Sequence, residues 1–241
     1  MRVPFLFLAF FLTGVLMGSA GTEDAVWKGS CWISAADAPV VSGRVYDLNG
    51  RSADGASWFV STVRNKRRVK SARWTTTALG VYELYVNGLP VGEEILKPGF
   101  THPYRTRRSF TYDVTELFDT RSGAENVLSA QVTPGWWADK VVTPDGFDGM
   151  RGRKCAFRGV LEITYAGGRR VRYGTDCENW RAGIAGPVKH ASIFDGEEYD
   201  ARELPGWATP EKLSVPERNT EFQGRILPSD GAEIYLREDL A

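Results

Sequence analysis

Apolar and polar positions alternate most regularly between Ala78 and Gly99, in ALGVYELYVNGLPVGEEILKPG. Tyr82, Leu84 and Val86 fall on one side of the pattern and Val81, Glu83 and Tyr85 on the other; beyond Asn87-Gly88, Leu89 and Val91 resume it. This predicts a β-hairpin with Asn87 and Gly88 as its two loop residues. Both central positions of a type I′ turn need positive φ, which few other residue pairs adopt cheaply. In that register Val86 faces Leu89 and Leu84 faces Val91, so both strands put aliphatic side chains on one face of a sheet. A second hairpin is predicted in CAFRGVLEITYAGGRRVRYGTDC, from Cys155 to Cys177. A two-residue loop at Gly167-Gly168 would set Ile163 against Arg172 and mix the faces. A three-residue loop from Ala166 to Gly168, ending in a left-handed glycine, sets Ile163 against Val171 and Leu161 against Tyr173, and is preferred.

Shorter alternating runs fill the rest. WFVSTV starts at Trp58; VKSARWTTTA puts Ala72, Trp74 and Thr76 on one face; NVLSAQV does the same with Leu128, Ala130 and Val132. Between them, Asp113 or Thr115 can cap a single helical turn that crosses from strand to strand. Pro134-Gly135-Trp136-Trp137 opens a long glycine-rich loop that runs to Cys155, and Pro205-Gly206-Trp207 closes the regular part. Helical periodicity is sustained nowhere over three turns, whereas Gly, Pro and Asn punctuate short strands throughout. The pattern predicts an all-β, antiparallel β-sandwich over 58–209. An irregular N-terminal segment, 21–57, precedes it; a linker and the start of a next domain, 210–241, follow.

The first twenty residues change the cellular setting. Arg2 precedes an apolar run from Val3 to Met17, and Gly18-Ser19-Ala20 supplies the small residues a signal peptidase requires. The run is shorter than a membrane-spanning helix and is not repeated, so 1–20 is expected to be a signal peptide. The mature protein is expected to be exported, periplasmic or extracellular, with no membrane association after cleavage. Losing the leader removes Arg2 and no acid, which leaves 29 basic against 30 acidic residues. That near-neutral balance gives no steering toward polyanions, and nucleic acid is not an expected partner.

Three cysteines in an exported chain permit one disulfide and leave one thiol. Cys155 and Cys177 flank the second hairpin and point to the same face, but they stand two residues out of step, a diagonal of roughly 7–8 Å. Pairing them requires a bulge or a splayed end; otherwise they remain buried thiols.

Little in the chain resembles catalytic machinery. His102 and His190 are the available imidazoles, and neither belongs to a metal-ligand spacing or a nucleophile elbow; both are expected on loops or the surface. The densest carboxylates lie in Asp195-Gly196-Glu197-Glu198-Tyr199-Asp200. Glycosidase chemistry needs two carboxyl groups converging on one bond, whereas neighbours in an extended segment alternate faces. The expectation is a turn at Asp195-Gly196, with Asp195, Glu197, Tyr199, Asp200 and Arg202 ordering a sheet edge or an interface. The loop after β-strand residues 126–132 carries Trp136, Trp137, Asp139, Asp145 and Asp148, which could supply a stacking platform and oxygen ligands; the alternative is that both tryptophans pack beneath the loop.

Several ordered blocks resemble one family. ALGVYELYVNGLPVG, LKPGFTHPYRTRRSFTYDVTELF, GAENVLSAQVTPGWW, the second hairpin, and GPVKHASIFDGEEYDARELPGW together resemble the N-terminal β-sandwich domain of bacterial α-L-rhamnosidases, over Trp58 to Trp207. The shorter pattern YELYVNG, TYDVTELF, ENVL is also similar to jelly-roll, galactose-binding-like domains of other glycoside hydrolases. The resemblance implies that hydrolysis belongs to a separate (α/α) barrel using paired carboxylates, which this sequence does not include, so no catalytic residue is carried over. It implies a non-catalytic accessory module with the missing barrel or a downstream polypeptide as partner. It further implies a rhamnose-containing oligosaccharide or polysaccharide as ligand. Calcium accompanies rhamnose in some members; no cofactor is required. Trp136, Trp137, Asp145 and Asp148 are the candidate sugar-binding residues. A stand-alone carbohydrate-binding module and a purely structural domain are the other readings.

Overall fold

The Asn87-Gly88 turn forms in the predicted register. Val86 pairs with Leu89 and Tyr85 with Pro90, the Val91 N–H donates to the Leu84 carbonyl at 2.9 Å, and Asn87 and Gly88 have φ of 53° and 80°. Val86 and Val91 are buried, but Leu89 stands half in solvent at the tip, so the shared aliphatic face does not extend to the turn itself. This computed structural model describes residues 25–38, 55–139, 154–193, 195–232 and 234–236. The expected leader, 1–20, lies outside them.

The strands are β1 (Ile33–Ser34), β2 (Ser57–Arg64), β3 (Val69–Leu79), β4 (Val81–Val86), β5 (Leu89–Pro90), β6 (Thr106–Asp113) and β7 (Glu125–Thr133). A four-residue helix, α1 (Gly135–Ala138), follows β7. Then come β8 (Ala156–Tyr165), β9 (Arg170–Gly174), β10 (Trp180–Ile184), β11 (Val188–Ser192), β12 (Gly196–Tyr199), β13 (Glu217–Arg218) and β14 (Arg225–Pro228). The larger sheet has the order β13-β1-β8-β3-β6-β14, with β9 also paired to β8; the smaller is β10-β2-β7-β4-β5; β11 and β12 form a separate ribbon. The named pairs are antiparallel except β14 with β6, which is parallel. The second hairpin takes the three-residue loop, with Ile163 opposite Val171, Leu161 opposite Tyr173, and Gly168 at φ 79°.

The two sheets close on one core. The larger contributes Ala72, Trp74, Phe157, Leu161 and Ile163, the smaller Phe59, Tyr82, Leu84, Val86, Leu128, Ala130 and Val132. Phe157 is its hub, with Phe59, Trp74, Tyr82 and Trp180 rings 5.6–6.4 Å away in tilted or edge-to-face contact. The crossover between β6 and β7 contains one 3-10 turn, Thr115–Leu117, and the Asp113 carboxylate accepts the Thr115 N–H at 3.0 Å. An amide cluster ties this crossover to the first hairpin. Fully buried Asn126 accepts from the Asp119 N–H (2.8 Å) and from the Asn87 side chain (2.9 Å), and Asn87 in turn accepts the Val127 N–H (2.8 Å). Asn87 therefore serves both the turn geometry and a side-chain anchor.

Three expectations are corrected. The N-terminal segment is structural rather than merely irregular: β1 lies along β8, and Trp27, Trp32, Ile33 and Ala35 enter the core. The chain beyond Pro210 is not a linker through 210–232: β13 pairs with β1, β14 with β6, and Leu213, Phe222 and Ile226 are buried. No disulfide joins Cys155 to Cys177, and all three thiols are free. The cause is β1, which takes over the β8 edge at Phe157 where β9 has left it after Gly174, and so occupies the place residue 177 would need in a continued hairpin.

Candidate functional site

Strand β2 is buried on both sides. Phe59 and Val63 point into the core, whereas Trp58 and Val60 point outward to a second cluster with Ala56, Ala185, Val188 and Leu213, which Tyr85, Val127, Ala191 and Trp207 flank. The outer layer is made by the β11–β12 ribbon and by 3-10 turns Gly206–Ala208 and Pro210–Lys212. Gly206 packs so closely on Trp58 that a side chain there would collide with the indole.

Beside this layer, the outer face of β4 and β7 remains open as a cleft of about 380 Å³. Its floor is a pair of cross-strand couples, Glu83 opposite Gln131 and Val81 opposite Thr133. Ile95 and Leu96 form one wall; Ala191, Ser192, Ile193, Gly196 and Glu197 of the ribbon form the other; Gly135 closes the end. Gly135 has φ 48° and lies against Val81, where any β-carbon would overlap the valine side chain. Buried Asp139 fixes the ribbon wall: its Oδ2 accepts the Ser192 hydroxyl and the Ile193 N–H, each at 2.8 Å.

Electrostatics give the floor a definite character. Lys97 is buried with its ammonium 3.3 Å from the Glu83 carboxylate and 3.4 Å from the Val91 carbonyl, over the Tyr82 and Tyr112 rings at 5.8 and 5.6 Å. Burial raises the Glu83 carboxyl above its ordinary value, and the nearby Lys97 charge opposes that rise. Burial likewise raises both phenols, and Tyr112 donates to Glu94 at 3.1 Å. The cleft thus combines carboxylate and amide hydrogen-bonding groups with aliphatic walls, a composition suited to a polar ligand with an apolar face.

The sequence candidates separate in space. Trp137 is buried: its indole N–H donates to the Lys154 carbonyl at 2.9 Å, Tyr104 meets the ring edge-on, and the Arg107 guanidinium stacks 4.8 Å from it. It packs beneath the loop and offers no sugar platform. Trp136 is half-buried and meets exposed Phe100 edge-to-face at 6.2 Å. Asp145 and Asp148 lie outside the described residues. From the acidic cluster only Glu197 reaches the cleft. Asp195 caps the ribbon turn, its N–H bonded to the Ser192 hydroxyl and its carboxylate 4.0 Å from His190. Tyr199 is exposed, and Asp200 forms a two-point ion pair with Arg202 at 2.8 and 2.7 Å. Gly196, at φ 83°, makes the expected turn. His190 is buried on β11, contrary to the surface position expected for it, because β11 covers the outer cluster; His102 is exposed. Among the described residues no group of three or more His, Cys, Asp or Glu side chains is placed to hold a metal ion.

Sequence reasoning missed Glu83 and Gln131. The signal was present: both are polar residues on the outward phase of otherwise apolar strands, and their alignment across β4 and β7 required only the sheet order.

The profile of the alpha-L-rhamnosidase N-terminal domain family matches residues 67–226. An alpha-L-rhamnosidase of Streptomyces avermitilis is 43% identical over 148 residues, 60% of this chain and 13% of the relative. One from Formosa agariphila is 30% identical over 193 residues, 72% of this chain and 20% of the relative. Among solved structures, the rhamnosidase of Aspergillus terreus superposes with a TM-score of 0.70 at 25% identity, covering 86% of this chain and 23% of that one. The Streptomyces avermitilis enzyme complexed with L-rhamnose gives 0.62 at 32% identity, covering 73% and 17%. The chain spans 13–20% of the length of these curated relatives.

Proposed function

Because the chain belongs to the alpha-L-rhamnosidase N-terminal domain family, we propose that it is the accessory, non-catalytic β-sandwich module of an exported rhamnosidase, and that it holds a rhamnosyl unit of a glycan in the β4–β7 cleft. Bond hydrolysis then rests with a catalytic domain outside these residues, which the module supports. The observation that carries the binding part is the cleft itself. Glu83, Gln131 and Glu197 present acceptors and donors for sugar hydroxyls, while Val81, Leu96 and Ile193 present surface for the deoxy methyl group and C–H face. The Trp136–Phe100 pair supplies an aromatic surface of the kind sugars stack on. Calcium enters through the family resemblance alone.

The test is calorimetric titration of the full chain with methyl α-L-rhamnoside, in added Ca²⁺ and again in chelator. Saturable heat that disappears in Gln131→Ala and Glu197→Ala supports the reading, and its survival in chelator removes calcium from it. No heat and no thermal shift would reduce the role to scaffolding. Equal binding of unrelated sugars would make the module a general carbohydrate binder. Release of rhamnose from an aryl rhamnoside by this chain would overturn the non-catalytic assignment.

A further inference from the structure

The chain around Cys31 meets the end of β9 at a close junction. Strand β9 leaves β8 after Gly174, and β1 takes the β8 edge at Phe157, so the residues just before β1 and just after β9 are brought side by side. The Cys31 N–H donates to the Thr175 carbonyl at 2.9 Å, the Thr175 hydroxyl donates to the Cys31 carbonyl, and the Cys31 sulfur lies 3.5 Å from the Thr175 carbonyl oxygen. Gly174 approaches Gly29 and Ser30 so closely that a β-carbon would collide with the Gly29 carbonyl. Two residues beyond Thr175 stands Cys177. The Asp176 carboxylate turns the chain there, accepting the Glu178 and Asn179 N–H groups at 2.9 and 2.6 Å. Cys31 and Cys177 are both half-buried and pack against the main core.

We propose that Cys31 and Cys177 are the disulfide-forming pair of this protein, a covalent clip that fastens the N-terminal segment to the β9–β10 connection, and that Cys155 stays a thiol. Burial raises the Cys31 thiol above its ordinary value, and the neighbouring Cys177 adds to that rise. Cys155 is enclosed in the core, where burial pushes its thiol up to about 12, so it is neither accessible nor appreciably ionised. Cys31 opens onto a polar cleft of about 250 Å³ lined by Ser30, Arg158, Arg218, Asn219 and Gln223, which gives an anionic, low-molecular-weight disulfide a way in. The exchange is balanced. One cysteine thiolate attacks a sulfur of the donor disulfide and expels the first donor thiol; the second then attacks the mixed disulfide and expels the other. The two protein thiols lose two protons and two electrons, and the donor is reduced to two thiols.

The experiment treats the native full chain with oxidised glutathione, alkylates the remaining thiols, and maps the peptides without reduction. The expected product joins the peptides of Cys31 and Cys177, with Cys155 alkylated only after unfolding and Tm raised by on the order of 5–10 °C. Cys31→Ser and Cys177→Ser should each abolish the link and the rise, and each should leave one glutathione on the surviving partner. Cys155→Ser should change neither. A link through Cys155, stable glutathione adducts on both Cys31 and Cys177, or three thiols left free after prolonged treatment would overturn the assignment. None of these results depends on sugar binding, so the clip and the glycan site stand or fall separately.

Discussion

Replacing Asn126 by Ala should destabilise the protein by about 3 kcal/mol, although the residue does not line the cleft. Its side chain is completely buried and makes two good bonds, to the Asp119 N–H at 2.8 Å and the Asn87 amide at 2.9 Å. Its amide group donates two longer ones, to the Asp119 main-chain carbonyl at 3.2 Å and to the side-chain Oδ1 of Asn65 at 3.4 Å. Most partners have a second contact: Asn87 still reaches the Leu117 carbonyl, and Asn65 still reaches the carbonyls of Asp119 and Arg121. The Asp119 N–H loses its acceptor. The ledger is about 1 kcal/mol for each of the two short bonds and about 1–2 kcal/mol for the orphaned donor. Urea unfolding followed by tryptophan fluorescence reads this as a lower midpoint at unchanged slope, and thermal unfolding as a Tm lowered by about 6–12 °C. Asn87→Gly keeps the left-handed turn while deleting the shared amide bond, so the double variant should lose less than the two single losses added together. A loss below about 0.5 kcal/mol for Asn126→Ala, or strict additivity with Asn87→Gly, would refute the idea that this network holds the crossover to the hairpin.

Three further outcomes are expected. Trp137→Ala should cost about 3–5 kcal/mol in denaturant unfolding, whereas Trp136→Ala should cost about 1 kcal/mol or less and instead weaken rhamnoside binding in calorimetry; the reverse order would place the functional ring wrongly. The raised Glu83 carboxyl contributes stability that is fully present below its unfolded value and lost as pH rises through its folded one, because the folded state binds the extra proton. Lys97→Met removes the opposing charge, so unfolding measured between pH 4 and 8 should show a steeper decline with pH than in the parent, and an identical pH profile would dismiss the coupling. Asp139→Ala should release the ribbon wall, and hydrogen exchange at the Ile193 amide should accelerate at least tenfold while β3 and β8 amides keep their protection.

Local chemistry made both hairpins legible to the residue. Asn87-Gly88 and Gly168 satisfy backbone conformations that few other residues tolerate, and the apolar alternation on each side fixes the register. Side chains and segments whose partners are remote in sequence were not legible. Nothing in SCWIS announces that β1 will insert beside Phe157, yet that insertion ends the β9 pairing and sets Cys31 against Thr175, two residues before Cys177. The cleft had the same obscurity. Glu83, Gln131 and Glu197 come from three strands, and only the order β7-β4 and the folding of the ribbon over it bring them together. Trp136 and Trp137 show the limit of composition: adjacent and chemically identical, they differ because α1 turns one toward Arg107 and the other toward Phe100.

The outermost strands of the larger sheet, β13 and β14, belong to one stretch of twelve residues, 217–228, which passes around the end of the sheet. Phe222, midway between them, touches Trp32 next to β1 and the Arg107 guanidinium on β6, so one ring bridges both flanks. An unpaired sheet edge is a template for another chain, and this stretch closes two such edges at once, with Pro228 ending the second where a further hydrogen-bonding partner would begin. A chain cut short near residue 216 would therefore fail in two ways at once, taking Phe222 and Ile226 out of the core and opening both borders of the larger sheet to self-association.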